Sequence, residues 1–141
     1  MKFFIDENIS PRLAEPLGVI YKGHEFGTAT TEGTASILDE DLFPLIRSRG
    51  YDAIITKDGQ QLRRDTERRA IFDQGLHWIG YKMKAQPGVL GFAIESSTIV
   101  AGLAYFFADV RQEPHAYEVK GMTTEPGQRI KTSPLWIPSW K

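Results

Sequence analysis

Two apolar runs in this chain stop on carboxylates. Met1-Lys2-Phe3-Phe4-Ile5 ends on Asp6-Glu7-Asn8, and Tyr51-Asp52-Ala53-Ile54-Ile55-Thr56 ends on Lys57-Asp58. A short apolar run bounded by polar residues reads as a buried strand. Ligands of open α/β sheets bind at the carboxyl ends of the strands. Two such strands therefore bring two aspartates to one edge, and a further acid from the chain between them would complete a site for a hard cation.

That further acid is expected at the helix opening Leu38-Asp39-Glu40-Asp41. Asp39 is the expected ligand, although Glu40 or Asp41 suits the helix dipole equally well and could replace it. Asp6, Asp39 and Asp58 are thus the candidate metal-binding and catalytic residues. Carboxylate oxygens without a histidine or cysteine partner favour Mg²⁺ or Mn²⁺. Such a cation polarises a phosphoryl oxygen and lowers the pKa of a bound water. Taken singly, each acid also has an ordinary use as a cap or turn residue. Asn8 is placed either on a metal-bound water or in a turn into Ser10-Pro11, and Glu7 at the surface or supporting Asp6.

The rest of the chain alternates strands and helices, which indicates a three-layer α/β/α sandwich on a mainly parallel sheet. Ser10-Pro11 opens a helix that Pro16-Leu17-Gly18 ends early. A strand falls between 19 and 27, and 27–34 reads as a loop. A helix runs from 39 to about 49 with Pro44 awkwardly inside it, and a charged helix covers 60–74. A fourth strand covers 76–81, and a nearly apolar helix spans about 91–110. That helix is interrupted by Glu95 and Ser96-Ser97-Thr98, so a buried core helix is expected rather than a membrane span. Past 112, two alternating segments flank Pro126-Gly127 and read as an appended β-hairpin, followed by a tail bearing Trp136 and Trp140. The expected division is a core of 1–111 and a C-terminal hairpin and tail of 112–141.

Composition narrows the chemistry. There are no cysteines, which removes disulfides, zinc-thiolate sites and thiol nucleophiles and suits a reducing cytoplasm. No serine sits in a nucleophile turn, and no Gly-rich loop cradles phosphate. The net charge of −1 means that any nucleic-acid contact needs a local basic patch. Lys57, Arg63, Arg64 and Arg68, with Arg69, form one in sequence. On a single helix Arg64 and Arg68 would lie one turn apart and hold phosphates; the alternative is a solvated face of minor ion pairs. The tryptophans of the tail could stack on bases, pair with a partner or fold back on the domain.

The segments Phe4-Ile5-Asp6-Glu7-Asn8-Ile9-Ser10-Pro11-Arg12-Leu13-Ala14, Asp39-Glu40-Asp41-Leu42 and Ile54-Ile55-Thr56-Lys57-Asp58 together resemble the PIN-like domains, including the VapC-like toxins of bacterial toxin–antitoxin pairs. The resemblance extends over about the first 110 residues. It implies a metal-dependent endoribonuclease on an α/β/α sandwich, inhibited by a cognate antitoxin and often homodimeric; the interrupted apolar helix adds the expectation of no membrane association. Asp6, Asp39 and Asp58 match the family's acids, and Thr56 matches a position that supports the site through its hydroxyl. The family's fourth acid has Asp65 as its candidate here, beside Arg63-Arg64, so one firmly bound metal is expected. A catalytically inactive PIN-like partner-binding module is the alternative.

Overall fold

Alternation decides which side chain of each strand faces which layer. The computed structural model describes residues 1–84 and 86–140, so the expected tail is followed only as far as Trp140. Strands β1 (Lys2–Ile5), β2 (Glu25–Thr28), β3 (Ala53–Thr56), β4 (His77–Tyr81) and β5 (Ala116–Val119) form one sheet in the order β2-β1-β3-β4-β5. Every neighbouring pair is parallel. Phe3, Ile5, Ala53, Ile55, Ile79 and Tyr81 point to one layer, and Phe4, Ile54 and Trp78 to the other. β3 and β4 are buried along their whole length, as a parallel sheet covered on both faces requires.

A 3₁₀ turn (Pro11–Leu13) leads into α1 (Ala14–Ile20), which packs Leu13 and Leu17 against the first layer. Pro16 does not end this helix. It lies in the first turn, where its missing N–H has no helical partner to lose. The expected loop of 27–34 holds a helical turn, α2 (Ala29–Glu32). Its capping box joins the Thr28 and Thr31 hydroxyls to each other's backbone N–H groups at 3.1 and 2.9 Å. Gly33, at φ 67°, closes it in the left-handed region.

α3 (Asp39–Ser48) carries Pro44 inside and still buries Leu42, Phe43 and Ile46 under the second layer. Burial of that face offsets the lost hydrogen bond. The expected single helix of 60–74 is broken into α4 (Gln60–Arg63) and α5 (Asp65–Asp73), because Arg64 is extended at φ −87°, ψ 117°. α6 (Gly88–Asp109) returns the chain to the first layer, burying Ile99, Leu103 and Phe106. By length and composition α6 is long and apolar enough to cross a membrane. Gly102 lets it approach β5, since an added Cβ would lie 2.5 Å from Val119 Cγ1.

The C-terminal hairpin does not form among the described residues. The alternating segment at 117–120 is a strand, but it pairs with β4, Trp78 opposite Ala116 and Tyr81 opposite Val119. A 22-residue helix brings the chain back parallel, and the open edge of β4 is the partner it meets. Pro126–Arg129 is a single helical turn, α7, so the second alternating segment expected at 129–131 is not a strand. The tail runs exposed through Leu135, Trp136, Ile137 and Trp140.

Tyr51 ties α2 to the sheet. Its ring meets Phe4 edge-on and its hydroxyl donates to Glu32 Oε1 at 2.6 Å. Burial pushes the phenol pKa up. A Cβ at Gly27 would lie 1.7 Å from the Tyr51 oxygen. Gly27→Ala is therefore expected to destabilise the protein by about 2 kcal/mol, the usual cost of overpacking a core, as a lower urea midpoint at unchanged slope. A midpoint equal to the parent's would show that the ring moves aside freely.

Candidate metal centre

The chain runs from β1 through α1 to β2 on one side, then crosses to β3 on the other. The carboxyl ends of β1 and β3 therefore flank the point where strand order reverses, which is where such sheets bind ligands. Asp6 follows β1 there and its N–H extends the ladder to the Ile55 carbonyl at 2.9 Å. Asp58 follows β3, and its N–H donates to Thr56 Oγ1 at 3.0 Å. Asp58 Oδ1 accepts the Gln60 N–H at 3.0 Å, opening α4.

Asp6 is buried, 6% exposed, and its carboxylate is held by donors. Oδ2 accepts from the Thr56 hydroxyl at 2.7 Å, Gln61 Nε2 at 3.3 Å and Asn8 Nδ2 at 3.5 Å. Oδ1 accepts the Glu7 N–H at 2.9 Å. Burial raises its pKa, and the Thr56, Glu7 and Gln61 donors pull the other way without cancelling the rise. Asn8 also donates to Thr56 Oγ1 at 3.2 Å and accepts the Lys57 N–H at 3.2 Å, fastening the end of β1 to that of β3.

Among the three acids that open α3, Asp39 alone is half-buried; Glu40 and Asp41 are exposed. Asp39 Oδ2 accepts from Gln61 Nε2 at 3.1 Å. Asp39, Asp58 and Glu67 each offer a carboxylate oxygen, and these lie within 4.8 Å of one another. Desolvation, opposed by the Gln61 bond and reinforced by the charges of Asp6, Glu67 and Asp58, pushes Asp39 up to about 6.

Glu67 is the acid that sequence reasoning missed. Asp65, the expected fourth acid, is exposed at the start of α5. The break at Arg64 resets the helical phase, and Glu67 in the first turn reaches the cluster instead. Its Oε1 accepts from Arg64 Nη1 at 2.9 Å, and its buried Oε2 has no partner among the described residues. Gln61 was missed as well. It is fully buried, its amide nitrogen joins Asp6 to Asp39, and its oxygen accepts Trp78 Nε1–H at 3.1 Å. A polar residue on the inner side of a helix next to the third acid was the available signal.

The basic residues divide. Arg64 bonds Glu67, which raises its pKa further. Lys57 Nζ pairs with Glu95 Oε2 at 3.2 Å rather than with Asp58. Among the described residues Arg68 reaches only the Leu62 carbonyl, at 3.4 Å, and Arg63 is exposed. Arg64 precedes α5 rather than lying on it, so it does not share a helical face with Arg68.

Carboxylates from two strand ends and two helix starts, gathered at the reversal point of a parallel sheet, suit a hard cation. Oxygen is the only donor type they offer, and the buried Glu67 Oε2 has no hydrogen-bond partner among the described residues, which leaves a lone pair for a cation. A family model described as a PIN like domain matches residues 1–82. The chain belongs to the PIN-like family, whose members are typically metal-dependent nucleases. Comparison with curated proteins and with solved structures returns no match.

The sign of the Asp39 shift sets a pH dependence. A folded pKa near 6 against an ordinary 3.8 means that the folded state binds the proton more tightly. Its contribution to stability is therefore present below the unfolded value and lost as pH rises through about 6. The metal-free protein should lose stability between about pH 4 and 6 by this route, measured by urea unfolding. Asp39→Asn should flatten that slope, and an equally steep slope in the variant would assign it to other groups.

Proposed function

We propose that this chain is a Mg²⁺- or Mn²⁺-dependent endoribonuclease that hydrolyses RNA phosphodiester bonds, the toxin of a toxin–antitoxin pair in the cytoplasm. The observation that carries the reading is the convergence of Asp39, Asp58 and Glu67 within 4.8 Å, backed by Asp6. Asp39, Asp58 and Glu67 would hold the cation directly, and Asp6 directly or through water. When bound, the cation supplies Lewis-acid polarisation of the phosphoryl oxygen and a water of lowered pKa.

The remaining work falls to the chain. Thr56, Asn8 and Gln61 fix the Asp6 and Asp39 carboxylates so that they need not reorganise. Arg64, at the rim of the cluster, contacts the RNA backbone, with Arg63 and Arg68 beyond it. Lys57 holds Glu95 and has a lesser part in phosphate binding. Glu40 and Asp65 add negative field from the surface only. Incubation of RNA with the protein and Mg²⁺ should give cleavage that a chelator stops, and that Asp39→Asn lowers at least about 100-fold, as loss of a metal ligand implies. Cleavage that persists in chelator contradicts the reading.

The inactive partner-binding module has its own supporting observation. Val89, Leu90 and Tyr105 of α6 are exposed, as are Leu135, Trp136 and Ile137 of the tail. Apolar surface of this kind suits a cognate antitoxin or a second copy of the chain. Calorimetry separates the two readings: the module would take up no Mn²⁺ yet bind its partner tightly.

A further inference from the structure

A cleft of about 460 Å³ opens at the carboxyl ends of β4 and β5, with Gly59, next in sequence to Asp58, on its wall. That volume is in the range of small-ligand sites. Its walls carry Arg63 from α4, Arg68 from α5, Lys82 just after β4 and Lys120 just after β5. None of these four cations pairs with a carboxylate among the described residues. Glu118 is the one acid on the lining, so the cleft keeps an excess of positive charge. Trp78 forms part of the lining and bonds Gln61, which in turn bonds Asp6 and Asp39. Cleft and cluster therefore share a wall.

The two surfaces act oppositely on a polyanion. The carboxylates repel a phosphodiester strand when no cation is present, while the cleft attracts it. We propose that the cleft seats backbone phosphates of single-stranded RNA on the β4–β5 side of the cluster, with Lys82 and Lys120 as phosphate contacts. This rests on the nuclease reading above and adds to it two residues and a direction for the strand. Trp78 and Tyr81 are each only 4% exposed, so the lining offers little base-stacking area. Contacts to phosphate position a strand without reading its sequence.

The test is binding of a labelled single-stranded RNA oligonucleotide to the full chain in chelator, followed by fluorescence anisotropy across a salt series. Lys82→Glu and Lys120→Glu should each weaken binding about tenfold. Each should also make the salt dependence shallower by about 0.7 in log–log slope, one phosphate contact on a single strand. Both side chains are exposed, so melting curves should match the parent's. Lys22→Glu, in the turn before β2 at the opposite edge of the sheet, serves as the control for overall charge. If Lys82→Glu and Lys120→Glu weaken binding no more than Lys22→Glu, the cleft proposal is overturned, whether or not the protein cleaves RNA. If they weaken it as stated while no RNA is cut with Mg²⁺ or Mn²⁺, the cleft stands and the nuclease reading falls.

Discussion

Asp58→Asn should leave a more stable protein that no longer cleaves. The asparagine oxygen can still accept the Gln60 N–H that Asp58 Oδ1 accepts at 3.0 Å, so the turn into α4 survives. What disappears is one negative charge from a group that repels itself without a cation. Relief of that repulsion should raise metal-free stability by about 1 kcal/mol, the scale on which functional sites trade stability for activity. The Asp39 pKa should fall below about 6, because Asp58 is one of the charges that raise it. Cleavage should drop by a factor of about 10²–10³, since a misheld cation forfeits several kcal/mol of charge stabilisation. A variant that is both destabilised and active would show that Asp58 serves only the turn.

Gln61→Leu should have the largest effect on the fold. Gln61 is fully buried and satisfies three polar groups at once: Asp6 Oδ2, Asp39 Oδ2 and Trp78 Nε1–H. Leucine fills comparable space but leaves the indole donor without a partner and removes a donor from two carboxylates. An orphaned buried donor together with weakened carboxylate solvation costs about 3 kcal/mol. For a chain of this size the Tm should fall by roughly 10 °C. The Asp39 carboxyl should rise further above its ordinary value, as the Gln61 bond is the main influence lowering it. Metal should then bind only at higher pH. An unchanged Tm would mean that water replaces the amide without cost.

The sheet and two of its acids were legible because both are local. An apolar run that stops on aspartate marks a strand end, and β1 and β3 end at Ile5 and Thr56 with Asp6 and Asp58 close behind. The choice among Asp39, Glu40 and Asp41 depended on how α3 is rotated against the sheet, which the burial of Leu42, Phe43 and Ile46 decides. Glu67 was hidden by one backbone angle. Asp65 came from the family's spacing alone, which takes no account of the extended Arg64 that starts a new helix and brings in Glu67. The hairpin failed for a related reason. Period-two alternation at 117–120 says that a strand forms, but the open edge of β4, far away in sequence, says with what.

The central claim is that these carboxylates hold a divalent cation. Anomalous diffraction from a Mn²⁺-soaked crystal tests it most directly. A peak is expected about 2.1 Å from oxygens of Asp39, Asp58 and Glu67, near the distance of hard-cation coordination, with Arg64 withdrawn from Glu67. A map with no peak at the cluster, and Arg64 still bonded to Glu67 at millimolar Mn²⁺ and pH 7.5, would contradict it.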